Sequence, residues 1–154
     1  MTLPTRPGAQ RLVLTALVCL ASLCANAGDK LLVYTVNYPL QYFAERIAGE
    51  HAEVRFPVPA DVNPASWKPD AAAVAQYRKA DLILLNGAGY AKWVSDVPLP
   101  HDRLVNTSAS FAAAYAPVEG TVSHSHGPGA DHSRADTAST TWLDFYQAVR
   151  QAES

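Results

Sequence analysis

No cysteine follows Cys24, and no acidic residue precedes Asp29. The chain beyond the first 27 residues therefore cannot form a disulfide, a thiolate metal site or a cysteine nucleophile. Charge of one sign is scarce too. Twelve Lys and Arg stand against fourteen Asp and Glu, with no like-charge block, which leaves no basic footprint for nucleic acid. The longest apolar run, Leu12 to Cys24, has 13 residues, short of the roughly 20 needed to cross a bilayer. No internal repeat is present. Catalytic signatures are missing as well. Asn86-Gly87-Ala88-Gly89 has Lys92 where a dinucleotide fingerprint needs its third glycine. Ser108 and Ser110 lie outside any nucleophile elbow. No acid, base and nucleophile assemble, so the chain does not read as an enzyme.

What is present begins with an export signal. Arg6 and Arg11 form a basic start, the Leu12–Cys24 run follows, and Ala25-Asn26-Ala27 supplies an A-x-A cleavage site. Residues 1–27 are expected to be a signal peptide and the protein to be periplasmic. Both cysteines leave with that segment. With 154 residues in all and 49% of them hydrophobic, the remainder suits a single modest domain held by its core alone.

Leu31 to Val36 reads as a buried strand, and residues 53–58 as a second, shortened by Pro57. Asp81 to Leu85 is a third, and Arg103 to Val105 a short fourth. Helices are expected over 39–49 and 70–79. Asn37 and Pro39 start the first, and Leu40, Phe43, Ala44, Ile47 and Ala48 form its apolar face. Val74 and Tyr77 face inward on the second. A short helix over 90–97 carries Trp93. Thr141 to Ala152 repeats Trp142, Phe145, Tyr146 and Val149 at helical spacing. Alternating strands and helices predict an α/β fold with a parallel sheet flanked by helices. In such sheets ligands lie beyond the carboxyl ends of the strands. Asn37-Tyr38, the Pro59–Pro69 loop and Asn86–Gly89 all leave such ends. Trp67, Trp93 and Trp142 read as packing residues. Asp61, Asp70 and Asp81 read as caps and turn residues.

Residues 119–139 contain almost nothing apolar and read as a flexible loop. Three of the five histidines, His124, His126 and His132, fall in this stretch with Asp131 between them. Imidazole is a good ligand for zinc, copper and nickel, and a flexible tract wraps a cation weakly and exchangeably. Composition leaves open both metal capture and a plain solvated loop. Binding by such a tract should weaken as pH falls through about 6.5, where free imidazole protonates. His51 and His101, beside Glu50 and Asp102, read as surface turn residues.

The order of segments resembles one family. VYTVNYPLQYFAERIAGEHAEV, a Pro-rich loop, ADLILLNGAGYAKWV, VNTSASF, a His-rich loop and TTWLD follow in turn. From about Leu31 to Asp144 this is similar to the amino-terminal lobe of the zinc/manganese-type solute-binding proteins of bacterial ABC importers. The resemblance implies one lobe of a two-lobe fold, metal ions as cargo and a membrane permease as partner. It also implies a metal-ligand His in a P-H-x-aromatic-x-P loop, where this chain has Pro64-Ala65-Ser66-Trp67-Lys68-Pro69. A second ligand His is implied two residues before Trp142, where this chain has Thr140. Ala cannot coordinate and a Thr hydroxyl is a poor zinc ligand. The expected organisation is thus a signal peptide (1–27), an α/β lobe (28–118), a His-rich loop (119–139) and the start of a helix (140–154), cut short of a second lobe. The expected function is that of an exported component related to metal import, with a degenerate interlobe site. Zinc would be held weakly by His124, His126, His132 and Asp131, and no other cofactor is implied. A free-standing periplasmic zinc buffer or a non-functional remnant are the alternatives.

Overall fold

A computed structural model describes residues 29–118 and 137–154. The expected signal peptide (1–27) and His124, His126, Asp131 and His132 lie outside the described residues. Four strands form the sheet: β1 (Leu31–Thr35), β2 (Ala52–Arg55), β3 (Leu82–Leu85) and β4 (Leu104–Asn106). All pairings are parallel, in the order β2-β1-β3-β4. Val33 stands opposite Val54 and Leu82, and Ile83 opposite Leu104. Among the described residues three helices accompany it: α1 (Tyr38–Ala48), α2 (Ala71–Tyr77) and α3 (Phe145–Ala152). Parallel neighbours need a crossover between them. α1 makes the one from β1 to β2 and α2 the one from β2 to β3, while 3₁₀ turns at Lys92–Asp96 and His101–Arg103 lie between β3 and β4.

Local chemistry explains the boundaries. Asn37 caps α1, its side chain accepting from the Leu40 backbone N–H at 3.0 Å, and Pro39 fits the first turn, where no intrahelical N–H is needed. Asp70 caps α2 through the Ala73 N–H at 2.7 Å. Asp81 does more than cap. Its N–H donates to the Leu32 carbonyl at 2.8 Å and its carboxylate accepts from the Leu32 N–H at 2.8 Å, which pins β3 to β1. The core lies beneath this sheet and is strongly aromatic. Tyr77 sits 4.9 Å from Tyr34 and 5.0 Å from Trp93, ring centre to ring centre, and Trp67 stands edge-on to Trp93 at 5.8 Å. Val36, Leu40, Ala80, Ile83, Tyr90 and Leu99 complete it.

Three expectations need correction. β2 ends at Arg55 rather than Val58, because Pro57 has no N–H to offer the ladder. Ile47 is 67% exposed rather than part of the buried face of α1. β2 is an edge strand, and among the described residues nothing beyond it covers that last helical turn. The third correction is the largest. Thr141–Leu143 is a 3₁₀ turn and α3 starts only at Phe145, where Asp144 caps it through the Tyr146 and Gln147 N–H groups at 2.9 and 3.2 Å. Its apolar residues Phe145, Tyr146 and Val149 face outward, and Gln147 and Gln151 are the buried ones.

Candidate functional site

The carboxyl ends of β1, β3 and β4 open onto one cluster of buried polar side chains. Asn37 follows β1, Asn86 follows β3, and Thr107 follows β4. Each is at most 2% exposed. Asn37 Nδ2 donates to Asn86 Oδ1 at 3.0 Å. Asn86 Nδ2 in turn donates to the Ser139 carbonyl at 2.8 Å. The carboxyl-terminal segment closes the cluster. Gln151 Nε2 reaches Thr107 Oγ1 at 3.0 Å and Asn86 Oδ1 at 3.3 Å, and the Thr141 hydroxyl lies 3.1 Å from Gln151 Oε1. Among the described residues no buried side-chain nitrogen or oxygen lacks a partner.

The glycine turn after β3 frames the same edge. Gly87, Ala88 and Gly89 all take positive φ, at 74°, 48° and 68°. A side chain at Gly87 would collide with Ser108 Oγ, Asn106 Oδ1 and the Tyr115 hydroxyl. The turn lets the backbone approach Asn106, Ser108 and Tyr115 closely. A cavity of about 110 Å³, lined by Leu85, Asn86, Gly89, Tyr90, Val94 and Asn106, sits beside it.

The chemistry of this edge is that of neutral amides and hydroxyls. Such groups orient one another but neither transfer protons at neutral pH nor bind divalent ions tightly. Among the described residues no three His, Cys, Asp or Glu side chains converge. Ala65 is half-buried against the core, its N–H donating to Asn63 Oδ1 at 3.0 Å, and Thr140 is exposed. Neither carries an imidazole. His51 and His101 are exposed in 3₁₀ turns. The two ends of the His-rich stretch are tied together. Pro117 and Thr137 form an antiparallel bridge, and the Ala138 N–H donates to the Ala116 carbonyl at 2.8 Å. Thr137, Ala138 and Ser139 thus belong to the folded body. Ser139, which accepts from Asn86, brings that root to the carboxyl edge of the sheet.

Against this fold and this edge, the family described as the periplasmic component A of the zinc-uptake complex, ZnuA, matches residues 33–154. The chain belongs to the ZnuA family. The high-affinity zinc uptake system protein ZnuA of Bacillus subtilis strain 168 is 31% identical over 91 residues, covering 53% of this chain and 28% of that protein. The zinc-binding lipoprotein AdcA of Streptococcus pneumoniae serotype 4 is 28% identical over 148 residues, covering 87% of this chain and 29% of its own length. The crystal structure of Zn(II)-bound AdcA from S. pneumoniae superposes with a TM-score of 0.61 at 21% identity, covering 81% of this chain and 24% of that one. The chain therefore spans less than a third of these three relatives. The parallel sheet flanked by helices is the fold of ZnuA-like solute-binding proteins.

Sequence reasoning placed Asn37 and Asn86 at strand ends but missed the network that joins them. The signal was available in part, since both are asparagines directly following apolar strands. Thr107, Thr141 and Gln151 gave none, because a Gln in an amphipathic helix reads as surface.

Proposed function

We propose that this ZnuA-family chain is an exported, non-enzymatic component related to zinc or manganese import, corresponding to the amino-terminal lobe of a two-lobe solute-binding protein. Its cargo is a metal ion and its partner is the permease of an ABC importer. Its metal capacity resides in His124, His126 and His132, helped by Asp131, and not at the family's interlobe position. The observation that carries this reading is the pair of residues at the two ligand positions of this lobe. Ala65 has no donor atom, and Thr140 offers only a hydroxyl. A tight zinc site takes four ligands, or three and a water, in fixed geometry. Support for the location comes from the root of the His-rich stretch, which is stapled by Pro117 and Thr137 beside the carboxyl edge of the sheet.

Calorimetric titration with zinc tests the assignment. Weak, exchangeable binding is expected for the protein as isolated. Changing His124, His126 and His132 together to Ala abolishes it, and Thr140→Ala leaves it unchanged. Binding that persists in the triple variant would overturn the reading.

A further inference from the structure

Asn86 and Gly87 are each demanded by the fold, and together they make the chain's one Asn-Gly pair. At 86 the network requires an amide. Asn86 Oδ1 accepts from Asn37 Nδ2 at 3.0 Å and from Gln151 Nε2 at 3.3 Å, and the Thr141 hydroxyl lies 3.2 Å from it. The Nδ2 hydrogens go to the Ser139 and Gly87 carbonyls, at 2.8 and 3.2 Å. An amide accepts and donates at once, whereas a carboxylate only accepts. At 87 the packing requires glycine, since a Cβ would strike Ser108, Asn106 and Tyr115. Asparagine is a thermolabile residue, most of all before glycine, where no side chain shields the next backbone nitrogen from its own side-chain carbonyl. The other asparagines near this edge are safer. Asn37 precedes Tyr38, Asn106 precedes the β-branched Thr107, and Asn63 precedes Pro64, which has no N–H.

We propose that Asn86 is a latent deamidation site, kept intact by the 139–151 segment and opened to reaction only when that segment lifts. In the reaction the Gly87 nitrogen loses its proton and attacks Asn86 Cγ. The Cγ–Nδ2 bond breaks, ammonia leaves and a cyclic imide forms. Water then opens the imide at either carbonyl and leaves aspartate or isoaspartate at 86. The net change is NH exchanged for O, with water as the one co-reactant. The closed fold blocks each step. Asn86 is 1% exposed, so water and base are kept out. Its side chain is held at both ends, and the departing nitrogen is bonded to two carbonyls. Ser139, Thr141 and Gln151 supply much of that hold, and all belong to the carboxyl-terminal segment. The product does not fit the closed state. A carboxylate at 86 would meet the Ser139 and Gly87 carbonyls with no hydrogen to give, as an uncompensated buried charge. Conversion therefore releases the segment irreversibly, while β1 and β3 keep a ladder that uses Leu82, Ile83 and Leu84.

Peptide mapping by mass spectrometry after incubation in warm, mildly alkaline buffer reads the site. Trypsin yields Ala80–Lys92, in which Asn86 is the one asparagine. Deamidation there is expected to be about a hundredfold slower in the folded chain than in urea, because several hydrogen bonds must open together. Gln151→Ala is expected to speed it about tenfold in folded protein, with amide exchange in β1 and β3 still slow. In the unaltered chain at low urea, the Asn86 rate is expected to rise with amide exchange in α3 and before exchange in the sheet, a readout that does not depend on the variant folding. Asn86→Asp is expected to lose slow exchange in α3. Equal rates in folded and unfolded chain, a rate that follows the sheet rather than α3, or an Asn86→Asp protein with α3 still protected would each overturn the proposal.

Discussion

Tyr77 is fully buried, and its hydroxyl donates to the Thr35 carbonyl at 2.9 Å. Burial, with the neighbouring Tyr34 adding to it, pushes the Tyr77 hydroxyl well above the usual tyrosine range. A raised value in the folded state means that the neutral form is the one the fold holds. Its contribution is therefore complete below about pH 10, the unfolded value, and is lost as pH rises beyond it. Tyr77→Phe should cost about 1 kcal/mol at neutral pH and should flatten the fall in stability above pH 10, as chemical denaturation at several pH values would show. An unchanged alkaline slope would refute the assignment. Gly87 is the second sensitive residue. Gly87→Ala forces a side chain into Ser108, Asn106 and Tyr115 at a φ of 74°. It should cost more than the roughly 1–2 kcal/mol of left-handed strain alone. Gly89→Ala meets nothing within 4 Å and should cost only that strain, so a denaturant midpoint no lower for Gly87→Ala than for Gly89→Ala would contradict the packing described.

At the scale of elements, β3 is central and α3 is the one attached by polar groups. Ile83 on β3 is 0% exposed, and Ile83→Ala should destabilise the domain by about 2–5 kcal/mol, read from denaturant unfolding. Gln151→Ala removes the link from α3 to Asn86 and Thr107. It should cost about 1–3 kcal/mol and speed amide exchange in α3 ahead of β1 and β3. Uniform protection across α3 and the sheet would argue against the clasp. The sheet was legible in the sequence because Leu31–Val36 and Asp81–Leu85 are apolar runs between turn residues, and Asn37 and Asp70 announce their helices. α3 was legible as a helix but not in its facing. Periodicity reports that apolar residues share a side, and only the tertiary partners decide whether that side is in or out. Here the acceptor oxygens of Asn86 and Thr107, which Gln151 meets, and the Ala114 carbonyl, which Gln147 meets, favour glutamines over aromatics.

The whole molecule combines a ZnuA-family sheet and a carboxyl edge of neutral polar groups with a His-rich stretch rooted at that edge. The resemblance was legible across the chain because its motifs occur in a fixed order, and residues 33–154 match the family. The network at the edge was not, since it joins Asn37 to Asn86 and Asn86 to Gln151, 49 and 65 positions apart. The proposed export adds one expectation at this scale. Mass spectrometry of the periplasmic protein should give a chain beginning near Gly28, and recovery of an intact Met1–Cys24 segment would refute cleavage. The most direct test of where metal binds is a residue-resolved zinc titration by ¹H–¹⁵N NMR. Perturbations concentrated at His124, His126, Asp131 and His132, with Asn63–Pro69 and Thr140 unmoved, are the predicted result. Perturbations centred on Ala65 and Thr140 would contradict the account.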